Sequence, residues 1–226
     1  MFLINPYILQ ASGDTLWNDL LAYYTSDNTP NDSLGTYNGT LTNGATYGTG
    51  IINQGFSLDG VNDYVNCGNI PVTDGSTPFS VSAWVNSNDV TNIGFIYGKG
   101  STSQLSLFFN SGYLYANIAQ SFSSNELRVV TNNTFTTSTW YNIVVTYDGL
   151  KSATSFKIYV NNVNQSLTTV FNTFTGTNTN SSSFNLGSQA NQYYFDGTID
   201  EVAIWNRELT ASEVTDLYNS GSGLQY

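Results

Sequence analysis

The fold of this chain is decided by one stretch near its end, Phe195-Asp-Gly-Thr-Ile-Asp-Glu-Val-Ala-Ile-Trp-Asn-Arg-Glu-Leu-Thr-Ala-Ser-Glu-Val-Thr-Asp-Leu-Tyr218. The dipeptide Asp196-Gly197 predicts a tight turn. The apolar residues between Ile199 and Trp205 predict one strand that follows it. Thr210 and Glu213 stand at the spacing of a capping box, which predicts a short helix behind them. We therefore expect a strand that closes a sheet and a small helix over its edge.

Short predicted strands, separated by clusters of Gly, Asn, Asp and Ser, continue from Trp17 onward through the chain. Apolar and polar residues alternate in 80–85, 105–109 and 156–160, which is typical of strands with one buried face. Asn142-Ile-Val-Val-Thr146 is more continuously apolar and predicts a central strand covered on both faces. Long helical periodicity is not seen. The pattern predicts an all-β fold, a two-sheet antiparallel β-sandwich of the jelly-roll type.

The length of 226 residues suits a single domain with a sizeable core. We expect this domain to span residues 15–226, behind a short apolar leader, residues 1–14, that ends in Ala11-Ser-Gly-Asp14. The leader does not resemble a signal peptide, because it lacks a basic residue and Asn5-Pro6 interrupts its apolar run. No stretch approaches about 18 apolar residues, so we expect no membrane insertion.

The charge of the chain excludes several partner classes. The formal net charge is −11, and only five Lys and Arg residues are present. Nucleic acids and anionic membrane surfaces require clustered basic residues, so neither is expected as a partner. Only 9% of residues are charged, and Asn, Thr and Ser are abundant. Such a surface resembles that of extracellular or virion-exposed β proteins, although a turn-rich β domain would share this composition.

Five further blocks of sequence, taken in order with the closing stretch, carry a family resemblance. They are Leu21-Ala-Tyr-Tyr24 with Asn31-Asp-Ser33, Asn38-Gly39 and Asn43-Gly-Ala45; Gly55-Phe-Ser-Leu-Asp-Gly-Val-Asn-Asp-Tyr-Val65; Phe79-Ser-Val-Ser-Ala-Trp-Val85; Trp140-Tyr-Asn-Ile-Val-Val-Thr-Tyr-Asp-Gly149; and Lys157-Ile-Tyr-Val-Asn-Asn162. This order resembles the laminin-G-like domains of the concanavalin A-like lectin/glucanase superfamily. The resemblance implies a jelly roll whose loops or sheet face carry ligands. One departure is Asn142, which stands where many members carry His.

Catalysis is not expected. The glycoside hydrolases of this superfamily carry an "E-x-D-x-x-E" cluster on one strand, and no such cluster is present here. Asp200 and Glu201 are adjacent on a predicted strand and are expected to point to opposite faces. The chain contains no His, and its single Cys67 therefore lacks the usual activating base. We predict a buried, inert thiol and a non-enzymatic protein.

The resemblance implies a structural calcium ion. Related domains often bind Ca²⁺ through an aspartate just before the last core strand together with groups from an early turn. The matching positions are Asp59, Asp63 and Asp200, with Asp32 nearby in the motif. Carboxylate and carbonyl oxygens are the ligands that calcium prefers. The alternative is that these aspartates serve Asx turns and fix the entry of the strand by accepting backbone hydrogen bonds.

Carbohydrate binding requires aromatic rings for the C–H faces of sugars. Our candidates are Tyr113 and Tyr115, which share a strand face, and the pair Tyr193-Tyr194. Each of these side chains is either such a platform or a half-buried tyrosine of the sandwich. The polar stretch 173–183 is equally a candidate recognition loop or a solvated hairpin.

The leader bears on protein partners, because an exposed apolar segment usually docks on something. The anchoring candidates within it are Phe2, Leu3, Ile4, Pro6 and Tyr7. They would pack on the sandwich itself or add a strand to a neighbouring protein. The form "x-I-N-P-Y" ahead of such a domain resembles leaders of tailed-bacteriophage virion proteins.

The function predicted from these features is that of a phage virion surface protein, a head decoration or fibre-like appendage. Its leader would bind other virion proteins, and its lectin-like domain would bind host or environmental glycans. A homo-oligomer is compatible with this role. The alternatives are a free carbohydrate-binding module at a bacterial surface or outside the cell and, less favoured, a divergent glycoside hydrolase.

Overall fold

The computed structural model describes residues 15–72, 75–101, 104–178 and 180–226. The expected leader and its anchoring residues, within 1–14, lie outside these ranges. The strands of the described part are β1 (Leu20–Tyr24), β2 (Thr40–Thr42), β3 (Thr46–Thr49), β4 (Gln54–Asp59), β5 (Tyr64–Asn66), β6 (Phe79–Ser87), β7 (Gly94–Lys99), β8 (Gln104–Asn110), β9 (Tyr113–Ser121), β10 (Asn125–Thr131), β11 (Trp140–Tyr147), β12 (Phe156–Val160), β13 (Val163–Asn164), β14 (Leu167–Asn172), β15 (Phe184–Leu186) and β16 (Asp196–Trp205). One α-helix, α1 (Ala211–Tyr218), follows them in the same ranges.

The strands form two antiparallel sheets of eight strands each. The sheet that we call the back sheet has the order β13-β12-β11-β6-β16-β4-β3, and β1 also pairs with β16. The other, the front sheet, has the order β14-β10-β9-β8-β7-β15-β5-β2. This arrangement confirms the predicted β-sandwich with a short C-terminal helix. No helix in the described ranges is long and apolar enough to cross a membrane.

The core lies between the two sheets and is built from alternate residues of each strand, as the two-residue period of a strand requires. In β6, for example, Val81, Ala83 and Val85 point into this core. The strand β11 is buried on both faces from Asn142 to its end, as its continuous apolar sequence predicted. Cys67 is a free, fully buried thiol within the same core, which confirms its expected burial.

The sequence led us to expect that β16 closes a sheet at its edge. The strand instead lies in the middle of the back sheet, between β6 and β4. Its first half pairs with β4 and β6, and its second half pairs with β6 and β1. Asp196-Gly197 is therefore the start of a paired strand and not a turn. Gly197 has a φ of 141°, and a Cβ atom there would lie 2.2 Å from the carbonyl oxygen of Asn86. The close approach of β6, and not a reversal of the chain, explains this glycine.

The helix α1 covers the outer face of the back sheet and not its edge. Val214 and Leu217 pack there with Trp205, in a second apolar cluster. The predicted capping box is confirmed, since Glu213 accepts a hydrogen bond from the Thr210 N–H and donates its own N–H to the Thr210 hydroxyl. The helix thereby buries this apolar part of the outer face.

We expect Gly197→Ala to destabilise the fold by about 3 kcal/mol or more, because backbone strain adds to a clash with β6. The matched control is Gly68→Ala, where φ is also positive, at 68°, but nothing lies within 4 Å of an added Cβ. This control should cost only about 1 kcal/mol, for the backbone strain alone. Urea unfolding measures both variants, and equal losses would contradict the tight packing of β16 against β6.

Candidate functional site

An aromatic platform lies on the outer face of the front sheet. Phe108 of β8 is paired with Phe95 of β7 on one side and with Tyr115 of β9 on the other. The rings of Phe95 and Phe108 are stacked with centroids 4.6 Å apart, and those of Phe108 and Tyr115 with centroids 5.1 Å apart at 8°. Residues between them in sequence, such as Leu107, point into the core. A register shift in β7 next to Phe95 marks a bulge at the start of this platform.

A polar row runs beside the platform, because the next outward positions on β8 and β9 are Ser106 and Asn117, and Arg128 of β10 is paired with Asn117. The Asn117 side-chain amide donates to Glu126 Oε1 at 3.1 Å, and the Ser106 hydroxyl donates to Asn117 Oδ1. Glu126 is fully buried and forms an ion pair with Arg128, 2.7 Å between Nε and Oε1. These contacts hold the guanidinium in one orientation.

Two aromatic rings flank the guanidinium of Arg128. It lies 4.3 Å from the ring centroid of Phe122 and 5.1 Å from that of Phe171. A cation over aromatic faces is attracted by their quadrupoles, and the rings also exclude water from it. The side chain of Arg128 is therefore held by an ion pair with Glu126 and by two aromatic rings.

The platform and Arg128 line one cavity of about 350 Å³. Gln189 and Tyr193, from the loop between β15 and β16, form part of its wall, and Phe122 stands on another side. Phe122 and Tyr193 are about half exposed, at 50% and 53%. Exposed aromatic rings around an apolar floor with a few polar groups are typical of sites for small organic ligands.

Two hydrogen-bond donors in this cavity are buried without a partner among the described residues. They are Nη2 of Arg128 and Nε2 of Gln189. A buried donor that bonds to nothing costs about 1–3 kcal/mol, so such groups are rare in folded proteins. Both side chains line the cavity.

The four candidate tyrosines are not brought together. Tyr115 and Tyr193 line the cavity just described. Tyr194 instead lines a neighbouring cavity of about 400 Å³ with Asp59 and Asp196, and its hydroxyl donates to the Asn191 carbonyl at 2.6 Å. Tyr113 lies on the same strand face as Tyr115 but lines neither cavity.

The sequence prediction missed most residues of the site, among them Phe95, Phe108, Phe122, Arg128 and Gln189. The alternation in 105–109 was a usable signal, because it places Phe108 on the face opposite Leu105 and Leu107. The role of Arg128 depends on Glu126 beside it, on Phe122 and on Phe171 across the sheet, and only the pairing of β10 with β14 brings the last of these close.

The three predicted calcium ligands do not converge. Asp59 and Asp63 are neighbours, since Asp63 Oδ2 accepts the Asp59 N–H at 3.3 Å. Asp200 lies on β16 four residues beyond Asp196, the residue that pairs with Asp59. No group of three acidic, Cys or His side chains in the described ranges is placed to hold a metal ion.

The same aspartates bond backbone N–H groups. Asp59 accepts from Val61 and Asn62, and the Val61 bond is the main cause that lowers its pKa. Asp63 accepts from Gly44 at 2.7 Å. Asp200 accepts from Ile51 and Ile52. The residues do not fit a shared calcium ion, and calcium binding stays a prediction of the sequence.

Asp200 and Glu201 do not point to opposite faces, contrary to the expectation for a regular strand. The pairing of β16 with β6 shifts register between Asp200 and Ala203, and Glu201 has a φ of 49°, which marks a bulge. Glu201 accepts a hydrogen bond from the Tyr23 hydroxyl, on the outer side of the back sheet. Burial raises the pKa of Asp200 to about 7 and that of Glu201 to about 8.

The comparisons with known proteins agree with this fold. The Laminin_G_3 family model, described as the concanavalin A-like lectin/glucanases superfamily, matches residues 59–215. Domain 4 of AbnA, a GH43 extracellular arabinanase from Geobacillus stearothermophilus solved in complex with arabinotriose, is 26% identical with a TM-score of 0.61. That match covers 88% of this chain and 97% of the other.

Toxin binding domains share the fold at lower identity. The binding domain of Paraclostridial Mosquitocidal Protein 1 is 20% identical with a TM-score of 0.69, over 91% of this chain and 53% of the other. The binding domain of botulinum neurotoxin DC, solved in complex with rat synaptotagmin II, is 17% identical with a TM-score of 0.67, over 92% and 52%. This chain therefore spans about half the length of these toxin domains. A search of curated proteins gave no match.

We expect the two buried carboxyl groups to make stability fall as the pH rises. Because the folded state raises their pKa values from 3.8 and 4.5 to about 7 and about 8, it binds protons more tightly than the unfolded chain does. Their contribution is fully present below about pH 4 and is lost as the pH rises through 7 and 8. Thermal melting between pH 5 and 9 should show this decline.

The variant Glu201→Gln should melt at a higher temperature than the wild type at pH 9 and show a shallower decline. Asp216→Asn, which makes the same change of charge at an exposed position of α1, is the matched control and should keep the wild-type slope. An unchanged slope in Glu201→Gln would contradict the role assigned to the bulge carboxyl.

Proposed function

The chain belongs to the concanavalin A-like lectin/glucanase superfamily, and we propose that it is a non-enzymatic lectin-like protein that binds a neutral glycan on the outer face of its front sheet. The observation that carries this proposal is the stacked platform of Phe95, Phe108 and Tyr115 beside two buried, unpartnered donors in one cavity. The arabinanase domain that was solved with arabinotriose, at 26% identity, supports the class of ligand.

The aromatic platform of the cavity suits the C–H face of a sugar, and its polar side chains suit the hydroxyl groups. The C–H face of a sugar ring is apolar and packs on an aromatic ring, which Tyr115 offers at the half-exposed end of the platform. The hydroxyl groups at the edge of the same sugar accept hydrogen bonds, which Arg128 Nη2 and Gln189 Nε2 are free to donate. A sugar that stacks on the platform thus satisfies donors that the protein leaves unpaired.

The charges favour a neutral sugar. The positive charge of Arg128 is already compensated by Glu126, at 2.7 Å. The neighbouring cavity, which shares Tyr193 with this one, is lined by Asp59, Asp89 and Asp196. With a formal net charge of −11 on the chain, a sulfated or carboxylated glycan would approach against a negative field.

The composition of the cavity supports binding without catalysis. The described residues that line it include no Asp or Glu, whereas glycoside hydrolysis uses a pair of carboxyl groups that flank the bond. The two adjacent buried carboxyl groups, Asp200 and Glu201, belong to the back sheet.

The setting that we propose for this binding is the surface of a tailed-bacteriophage virion, with the domain as a head decoration or fibre-like appendage. The sequence supports this setting through its weakly charged, amide-rich composition and through the apolar residues from Phe2 to Tyr7 as an anchor to other virion proteins. In this setting the domain would present its front sheet to host or environmental glycans.

We expect Tyr115→Ala to weaken glycan binding about tenfold, because the half-exposed ring of the platform is lost. A tenfold loss of affinity corresponds to about 1.4 kcal/mol. The control is Tyr113→Ala, which removes the same side chain from the same strand face outside the cavity and should bind like the wild type. A glycan array and then titration calorimetry measure both.

Two results would count against the proposed site. Wild-type binding by Tyr115→Ala would exclude the platform as the contact surface. A loss of binding in Tyr113→Ala alone would move the site to the other end of β9.

A further inference from the structure

A further cavity, distinct from the one lined by Asp59 and Asp196, adjoins the platform cavity on the outer face of the front sheet. We call the platform cavity the first cavity and this one the second. It has a volume of about 370 Å³ and is lined by polar residues that include Asn66 of β5 and Asn185 of β15. Ser101 lines both cavities. The loop between β15 and β16 also borders both, since Gln189 and Gln192 line the first cavity and Asn191 the second.

The loop is held between the two cavities by a glycine. Gly98 of β7 is paired with Asn185 on one side and with Ser106 on the other. A Cβ atom on Gly98 would lie 2.7 Å from the Cβ atom of Gln189, so the loop lies directly on the strand at this point. Gln189 therefore forms a low wall above β7, with one cavity on either side.

The second cavity contains its own unpartnered polar atom. Asn185 is 4% exposed, and its side-chain amide lies 3.3 Å from the Ser188 hydroxyl. Its Oδ1 atom is buried and has no hydrogen-bond partner among the described residues. A donor from a ligand or from water satisfies such an acceptor, and a sugar hydroxyl is both a donor and an acceptor.

The spacing of the two cavities suits a linked ligand. Asn185 on β15 and Arg128 on β10 are on strands that lie four positions apart in the sheet, about 19 Å at the usual strand spacing. The unpartnered acceptor of Asn185 is at one end of this span and the unpartnered donor of Arg128 is at the other, with Gln189 above β7 between them. A single sugar ring fills one cavity only, whereas a short chain of linked rings reaches both sets of polar atoms.

We infer that the two cavities are adjacent subsites of one extended cleft, and that its ligand is a neutral oligosaccharide of at least two linked units. This inference rests on the proposed function. Asn185 acts in it as a specificity-determining residue that reads the second unit, and Tyr115 acts as the platform for the first.

The direct test is titration calorimetry of the wild-type protein with ladders of one to six units from neutral arabinan, xylan, mannan and glucan. In the series that binds, the affinity should rise about tenfold or more from the monosaccharide to the trisaccharide and then level off, because a second set of contacts is added. Equal affinities for the monosaccharide and the trisaccharide would overturn the extended cleft and leave glycan binding intact. No binding of any ladder would overturn the proposed function and the cleft with it.

Asn185→Ala separates the two subsites. It should lower the trisaccharide affinity about fivefold and leave the monosaccharide affinity unchanged, whereas Tyr115→Ala should lower both. Equal losses for both ligands in Asn185→Ala, at an unchanged melting temperature, would overturn the assignment of this residue to a second unit. The wild-type ladder keeps the inference testable if the variant does not fold.

Discussion

The back sheet depends on the pairing of one strand, β16, with three others. Residues near the end of the chain join β1 from its beginning, β4 and the central strand β6. The partner on one side changes along the strand, from β4 opposite Asp196–Ile199 to β1 opposite Val202–Trp205. The bulge at Asp200 and Glu201 falls where the partner changes, which lets the strand bend between two neighbours. The two buried carboxyl groups are thus a consequence of this connection, held by Tyr23 of β1 and by backbone next to β3.

The two sheets expose very different outer faces. Part of the outer face of the back sheet is covered by α1, which packs on the apolar cluster around Trp205. The outer face of the front sheet carries the aromatic platform and the cavities beside it. The platform is there because outward positions on neighbouring strands must line up in an antiparallel sheet. Arg128, Gln189 and Asn185 on this side each carry a buried atom without a partner among the described residues, as do Ser26, Tyr97 and Asn142 elsewhere in the fold.

Much of the fold was predictable because local signals decided it. The alternation of the strands, the capping box at Thr210 and the continuous burial of β11 each depend on residues close together in sequence. The position of β16 was not predictable in this way, because it depends on strands far away in sequence. For that reason Asp196-Gly197 looked like a turn, and Glu201 looked as if it pointed away from Asp200. Of the site, Tyr115 and Tyr193 were predicted from their aromatic character. Arg128 was not, since its setting is created by the contact of β10 with β14.

The central claim is that the front sheet binds a glycan across its outer face. Nuclear magnetic resonance of the protein, labelled with nitrogen-15 and titrated with a neutral oligosaccharide, tests this most directly. The account predicts that the side-chain signals of Arg128, Gln189 and Asn185 shift together and saturate at one concentration, with no change near Asp200. Shifts confined to the back sheet or to the helix α1 would contradict it.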